Sequence, residues 1–382
     1  MRVAVVHHWF VTRGGGERVA ECLASLFPNA EIFTLLTLPE GIPESLRDRT
    51  FHTSFLQKVP GAARHHRHMM PLYAAATESL DLRAFDLVIS SDSGPVKGVR
   101  LRPGAIQICY CHSPMRYLYD GFDTYRTQMN GLIRAAFNLS AGRLRRWDKQ
   151  AAARVTYFLA NSNYVAERIQ RIYGRTSKVI YPPVDLSLAR RVAEPGKHYL
   201  CAGRLVPYKH TSLLMEACER LGRTLRIAGT GPEEDKLRKI ASSNVQFLGQ
   251  LDDDGLWQEY AQCRALLFAA DEDFGMVPVE AQACGRPVIC FGAGGSLETV
   301  RNGETGIYFA EQTVESAMEG ILQFEAVEAE FSPERIQLWA QQFSTPVFLN
   351  AIRDFVLEHV PDAAASAGLL TRQSDRAGWT NL

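Results

Sequence analysis

The chain has 382 residues, 46% apolar and 22% charged, and its 42 basic side chains balance 42 acidic ones. That composition excludes disordered, collagen-like and disulfide-stapled proteins, and the length suits two domains that each bury a core of their own. The longest apolar stretches, such as 155–160 and 265–270, fall far short of the ~20 residues that cross a bilayer. His7 and His8 interrupt the opening apolar run where a secretory segment would continue, so a cytosolic protein with its eight cysteines reduced is expected.

Short apolar runs alternate with stretches of helical period. Strands are expected at 3–7, 86–90, 105–109, 155–160 and 178–181, and helices at 17–26 and 132–153. Strands of this kind, apolar on both faces, belong to a parallel sheet. Tyr181-Pro182-Pro183-Val184-Asp185 breaks the pattern, and because proline cannot join a central ladder and holds its neighbour extended, it marks the linker. Beyond it, strands at 199–202, 224–228, 244–247, 265–268 and 287–291 alternate with helices at 210–221, 233–241, 255–263 and 277–284. The expected organisation is an α/β domain over 1–183 and a second over 184–344. Helices at 314–324 and 333–342 belong to the second, a further helix follows at 345–359, and 360–382 form a flexible tail.

The neutral total hides an asymmetry. Residues 1–182 carry 24 Lys/Arg against 14 Asp/Glu, so the remaining 200 carry 42 − 24 = 18 against 42 − 14 = 28. A basic half suits an anionic partner, and a solvated imbalance would look the same. Within it, Arg143, Arg145, Arg146, Lys149 and Arg154 lie near Phe137 and Trp147. This is either a basic helix with aromatic anchors for an anionic membrane or lipid diphosphate, to which His65-His66-Arg67-His68-Met69-Met70 adds, or a core helix with a charged outer side. No finger, recognition helix or stacking motif supports nucleic acid binding.

Three glycines, Gly14-Gly15-Gly16, follow the first strand and open a helix, which lets backbone approach a phosphate or sugar. They are not the dinucleotide fingerprint, because Val19 stands where its third glycine belongs. Cys109-Tyr110-Cys111-His112-Ser113-Pro114 closes another strand, placing His112 at a carboxyl end where ligands bind. The two cysteines and His112 do not complete a four-ligand metal site. Asp252-Asp253-Asp254 precedes an expected helix and reads as its cap before it reads as a metal site.

Two loops of the second domain carry the strongest signals. Gly203-Arg204-Leu205-Val206-Pro207-Tyr208-Lys209 follows a strand, and its two cations suit a diphosphate; alone they would equally be solvated surface. Glu272-Asp273-Phe274-Gly275-Met276-Val277-Pro278-Val279-Glu280 joins another strand to a helix. The helix start favours phosphate, and Glu280 one turn in is placed to accept from ribose hydroxyls. Dipole complementation by Glu280 and plain exposure of Glu272 are the bland readings.

These two elements, in this order and at this separation, resemble the retaining glycosyltransferases of family 4, and the resemblance covers about residues 1–360. It implies a GT-B architecture, α/β, with two Rossmann-like parallel-sheet domains facing across a cleft and the last helix, 345–359, returning to the first domain. It also implies that Arg204 and Lys209 hold the donor diphosphate, Glu280 the ribose and Glu272 the transferred sugar. Gly203, Phe274, Gly275, Met276 and Val277 would line the donor, Gly15 and Gly16 would lie at the cleft, and His112 would contact the donor sugar. No metal and no permanently bound cofactor are expected. His112-Ser113-Pro114 with Arg116 and Tyr117 resembles the subset acting on bacterial surface polysaccharide, often with GDP-mannose. The expected reaction is hexosyl transfer, mannose favoured, from a nucleotide sugar to a glycan or polyprenyl-diphosphate-linked acceptor at the inner face of the cytoplasmic membrane. A nucleotide-sugar 2-epimerase and a binding protein without catalysis are the rivals.

Overall fold

The structure, a computed structural model, describes all residues except 64, 128–130, 193, 361 and 363–382. Apart from Val360 and Asp362, the expected tail lies outside the described residues. The chain divides into two compact units: Met1–Pro183 with the chain from Phe348 onward, and Val184–Val347.

The first unit is built on a parallel sheet of β1 (Val3–Phe10), β2 (Glu31–Thr37), β3 (Phe51–Thr53), β4 (Leu87–Asp92), β5 (Ile106–Cys111), β6 (Tyr157–Ala160) and β7 (Ser177–Val179), ordered β3-β2-β1-β4-β5-β6-β7. Alternate side chains of β1 serve opposite faces, as the pleat requires. Val3 and Val5 pack with Leu23 and Leu26 from helix Gly15–Leu26 and with Phe27 just past its end. Ala4 and Val6 pack on the other side with Leu56, Leu80, Phe85 and Leu144. Helix Thr345–His359 contributes Phe348, Leu349, Ile352, Phe355 and Val356 to the first of these cores. Their spacing gives one helix face, and burying each is worth roughly 1.5–3 kcal/mol.

The second unit repeats the scheme with β8 (Tyr199–Ala202), β9 (Leu225–Ala228), β10 (Val245–Gly249), β11 (Ala265–Phe268), β12 (Val288–Phe291) and β13 (Gly306–Phe309), ordered β10-β9-β8-β11-β12-β13. In both sheets the strand order reverses beside the first strand, between β1 and β4 and between β8 and β11. Loops leaving the carboxyl ends of strands at such a reversal diverge and leave a crevice, where sheets of this kind bind ligands.

Three strands lie where none is expected. β2 is broken in sequence by Thr34, which is wholly buried and donates its hydroxyl to Leu36 O at 3.3 Å. β3 has three residues and pairs with β2 alone. β13 opens with Gly306, where a Cβ would lie 2.0 Å from Val288 O. β5 runs two residues past the expected 105–109 because Tyr110 and Cys111 continue the ladders to Ser91 and Asp92 on one side and Leu159 and Ala160 on the other. Cys109 and Cys111 therefore share a buried face with Phe158, Val165 and Ile169. All eight cysteines are buried, and none is in a disulfide. Among the described residues, no helix is long and apolar enough to cross a membrane.

Asp252 caps helix Asp253–Gln262, its Oδ1 accepting from Gly255 N at 2.8 Å. Asp252→Ala is expected to cost about 1 kcal/mol, read as a lower midpoint in urea denaturation, because it leaves a helix-start N–H without its acceptor.

Candidate functional site

In the second unit, β8 ends at Ala202 and the chain turns at Gly203, whose φ of +120° is rarely open to other residues. The turn packs backbone on backbone: a Cβ at Gly229 would lie 2.1 Å from Gly203 O. Arg204 is exposed on this loop. A short turn, Pro207–Lys209, leads to His210, whose φ of 51° makes it the one non-glycine in the left-handed region among the described residues. Held there at the start of helix Thr211–Arg220, it reverses the chain so that Lys209 points back beneath Gly203. A Cβ on Gly203 would lie 2.7 Å from Lys209 Nζ, so the ammonium sits directly against this glycine.

Lys209 Nζ sits 3.1 Å from Glu272 Oε1, with both side chains mostly buried, and 5.9 Å from the centre of the Phe268 ring. Burial works against the ammonium, but the Glu272 carboxylate beside it prevails and holds the pKa of Lys209 above its usual value. Lys209 is therefore a fixed cation at the reversal between β8 and β11.

The loop bearing Glu272 is braced from the next strand. Gly295 N donates to Glu272 O at 2.8 Å. A Cβ at Gly294 would meet Glu272 O at 2.5 Å, and one at Gly295 would meet Phe274 O at 2.3 Å. Phe274 is buried. Gly275, at φ +85°, turns the chain into helix Met276–Ala283, whose start has no side-chain cap. The amides at Met276 and Val277 thus begin a helix with its positive end at the same sheet edge. Glu280 Oε2 accepts from Tyr260 Oη at 2.6 Å. Burial raises the Glu280 carboxyl above its usual range, against the pull of that bond and of Lys209. One ion pair, one exposed arginine, one helix start and a second acid thus share the loops after β8 and β11. This set can meet a diphosphate with cations and amides and sugar hydroxyls with carboxylates.

In the first unit the glycines open helix Gly15–Leu26, with Gly14 as its cap and Glu17 folded back towards it, since a Cβ on Gly14 would lie 3.1 Å from Glu17 Oε2. Burial raises the Glu17 carboxyl from 4.5 to about 7. The folded state therefore holds a proton that the unfolded chain releases. Its stabilisation is full below about pH 4.5 and lost as pH rises through about 7. Between those limits the wild type is expected to lose stability relative to Glu17→Gln, whose amide does not titrate; paired urea titrations across that range measure the difference.

Gly16 lies against β1, where a Cβ would be 3.5 Å from His7 Cε1. His7 Nδ1 is 3.1 Å from Ser91 O and 3.0 Å from Ser91 Oγ, and Ser91 Oγ is 2.8 Å from His112 Nε2. Half-buried His112 is the first residue after β5 and donates its backbone N–H to Asp92 O at 2.8 Å. The next residue is pinned from behind: Arg168 Nη1 donates to Ser113 Oγ at 2.9 Å and its Nε to Asp120 at 2.7 Å.

Residues 13–188 match the model of Glycosyltransferase Family 4, and residues 189–337 match that of Glycosyl transferases group 1. The chain belongs to this glycosyltransferase family. The D-inositol 3-phosphate glycosyltransferase of Geodermatophilus obscurus is 31% identical over 194 residues, covering 42% of this chain and 43% of that protein. The GDP-mannose-dependent alpha-(1-6)-phosphatidylinositol monomannoside mannosyltransferase of Mycobacterium tuberculosis is 29% identical over 192 residues, covering 42% and 50%. The match thus spans half or less of the length of these curated relatives. Among solved structures, Anabaena HepE in complex with UDP has a TM-score of 0.71 at 17% identity, covering 94% of this chain and 100% of that one. This likeness is one of fold: two Rossmann-like parallel-sheet domains of the GT-B type.

The structure corrects one sequence expectation. In helix Gly131–Arg154 the aromatic residues are not membrane anchors. Phe137 is buried, and Trp147 donates to Glu78 Oε1 at 2.8 Å while filling the space a side chain at Gly98 would need. Arg145 also leaves the basic set: it donates to Leu118 O and lies 4.4 Å over the Phe122 ring. Arg143, Arg146 and Lys149 stay exposed, beside Leu139 at 88% exposure. Of the residues 65–70, His66 packs on Trp9 at 4.7 Å and Met70 is buried; the side chains of 67 and 68 lie outside the described ones.

Sequence reasoning missed Tyr260, Gly294, Gly295, His7, Ser91 and Glu17. The glycine run 292–295 directly after an apolar strand was a usable signal; His7 and Ser91, 84 residues apart, offered none.

Proposed function

We propose that this glycosyltransferase moves a hexose, mannose favoured, from a nucleotide diphosphate sugar to a glycan or lipid-linked saccharide, with retention at the anomeric carbon and without a metal. The observation that carries this reading is the Lys209–Glu272 pair at the reversal between β8 and β11, with Glu280 on the helix that follows. A diphosphate arriving beside Lys209 draws the ammonium to itself and leaves the Glu272 carboxylate to accept from sugar hydroxyls. Glu280 is assigned to the ribose, where an acceptor-only group can bind two hydroxyls. As the anomeric C–O bond stretches, charge grows on the departing diphosphate. Arg204, Lys209 and the amides of Met276 and Val277 stabilise that charge already oriented, which takes the place of a divalent cation. The leaving phosphate accepts the acceptor's proton on the face it leaves. GDP-mannose is favoured because the mycobacterial relative is named for it; the UDP complex of HepE makes UDP sugars the competing donors.

The first unit is assigned to the acceptor. Its exposed Arg143, Arg146 and Lys149 are assigned to the anionic inner face of the cytoplasmic membrane. Co-sedimentation with anionic vesicles should drop when all three become serine; binding that is unchanged removes the membrane assignment.

The deciding experiment incubates the protein with GDP, UDP, ADP and dTDP sugars, a polyprenyl-diphosphate-linked saccharide and excess EDTA, and reads the products by NMR. Transfer of mannose from GDP-mannose with an α linkage is expected. Epimerised nucleotide sugar without transfer, an inverted linkage, or loss of activity in EDTA would each contradict part of the proposal.

A further inference from the structure

We infer that His7, Ser91 and His112 form a directional hydrogen-bond relay that holds His112 as the neutral tautomer with its proton on Nδ1, making Ser91 and His7 positioning residues for a sugar-binding imidazole. The consequence for sugar binding rests on the role proposed for His112; the tautomer itself does not.

The direction follows from counting donors and acceptors. His7 Nδ1 lies 3.1 Å from Ser91 O, and a carbonyl can only accept. An unprotonated Nδ1 would set two lone pairs against each other at that distance, so His7 carries its proton on Nδ1 and shares it between Ser91 O and Ser91 Oγ at 3.0 Å. Ser91 Oγ, accepting from His7, has one proton to give, and the nitrogen in reach is His112 Nε2 at 2.8 Å. His112 Nε2 therefore accepts, and its Nδ1 bears the proton. In water a free imidazole side chain prefers the other tautomer, so the relay imposes a choice on His112.

Burial, with His8 and His112 close by, holds His7 well below its usual pKa, which keeps this end of the relay neutral. The remaining nitrogen, His7 Nε2, is buried and has no hydrogen-bond partner among the described residues. Its unused lone pair is what a proton fixed on Nδ1 leaves behind. The three residues come from β1, β4 and the position just after β5, three strands adjacent in this sheet, so the relay is set by strand register. An imidazole with a fixed Nδ1–H offers a sugar hydroxyl a donor, whereas the other tautomer would offer an acceptor in the same place.

The test uses the full chain labelled with 15N-histidine and no ligand. Long-range 1H–15N spectra separate the tautomers, and the His112 pattern is assigned by its loss in His112→Gln. The wild type is expected to show His112 with the proton on Nδ1; a proton on Nε2 overturns the relay, whether or not the protein transfers sugar. In Ser91→Ala the Nε2–H form should grow, and in Ser91→Thr, which keeps the hydroxyl, the wild-type pattern should persist. An unchanged tautomer in a folded Ser91→Ala protein also overturns it. If transfer occurs, Ser91→Ala should lower kcat by about 3- to 10-fold, the worth of one net hydrogen bond, with nucleoside diphosphate affinity unchanged and activity restored by threonine.

Discussion

Lys209→Ala is expected to lower kcat by about 10²–10³ while the protein stays folded, the usual cost of removing one preorganised donor from a developing anion. Lys209 is the buried cation of the site, pointing back under Gly203 and held against Glu272 at 3.1 Å. Alanine removes the charge and leaves the carboxylate beside an emptied space, so two effects must be separated. Glu272→Gln removes the acid's charge and keeps its shape. If Lys209 acts on the diphosphate, Lys209→Ala in the Glu272→Gln background still loses turnover and still binds nucleoside diphosphate weakly. If Lys209 serves only to neutralise Glu272, the second substitution restores activity. A folded Lys209→Ala protein with wild-type turnover would remove the diphosphate assignment.

The largest stability effect is expected away from that site. Lys97 is fully buried, with Nζ 3.1 Å from Asp92 Oδ2, 2.6 Å from Asp148 Oδ1 and donating to Gly94 O at 2.7 Å. Asp92 Oδ1 accepts from Gly94 N at 3.1 Å and Val96 N at 2.9 Å. Asp148 Oδ2 accepts from the hydroxyls of Tyr119 at 2.9 Å and Tyr173 at 2.8 Å. This cluster joins the end of β4 to helix Gly131–Arg154 and helix Asn163–Tyr173. Lys97→Met fills similar volume but leaves two carboxylates buried together without a cation, and breaking such a pair typically costs about 3–5 kcal/mol. Urea denaturation should show that loss at neutral pH, and a smaller one in acid, where Asp92, whose carboxyl burial pushes above its usual range, can take up a proton. A loss under about 1 kcal/mol would mean that water or another cation reaches the cluster.

What the sequence disclosed and what it hid follow one division. Features set by local chemistry were legible: glycines at Gly203 and Gly275 where the backbone turns left-handed, the apolar runs of β8 and β11, the cap at Asp252, and the apolar face of helix Thr345–His359. The pairing of Lys209 with Glu272 was not legible as a contact, because sheet order and not chain distance makes the loops after β8 and β11 neighbours. Ser91-Asp92-Ser93-Gly94-Pro95-Val96-Lys97 reads as a polar turn, yet Asp92 and Lys97 are wholly buried. Their partner Asp148 stands in a run of basic residues that, read alone, suggests a solvated face. Arg145 misleads for the same reason, since a charged symbol in a sequence does not say which way a long side chain lies.

The central claim is that the loops after β8 and β11 hold a sugar nucleotide by its diphosphate. A crystal structure of the protein with GDP-mannose, or with whichever nucleotide sugar it turns over, tests it most directly. We predict phosphate oxygens within hydrogen-bond distance of Arg204 and Lys209, ribose hydroxyls on Glu280 and hexose hydroxyls on Glu272. A nucleotide bound with these four side chains directed elsewhere would contradict the account.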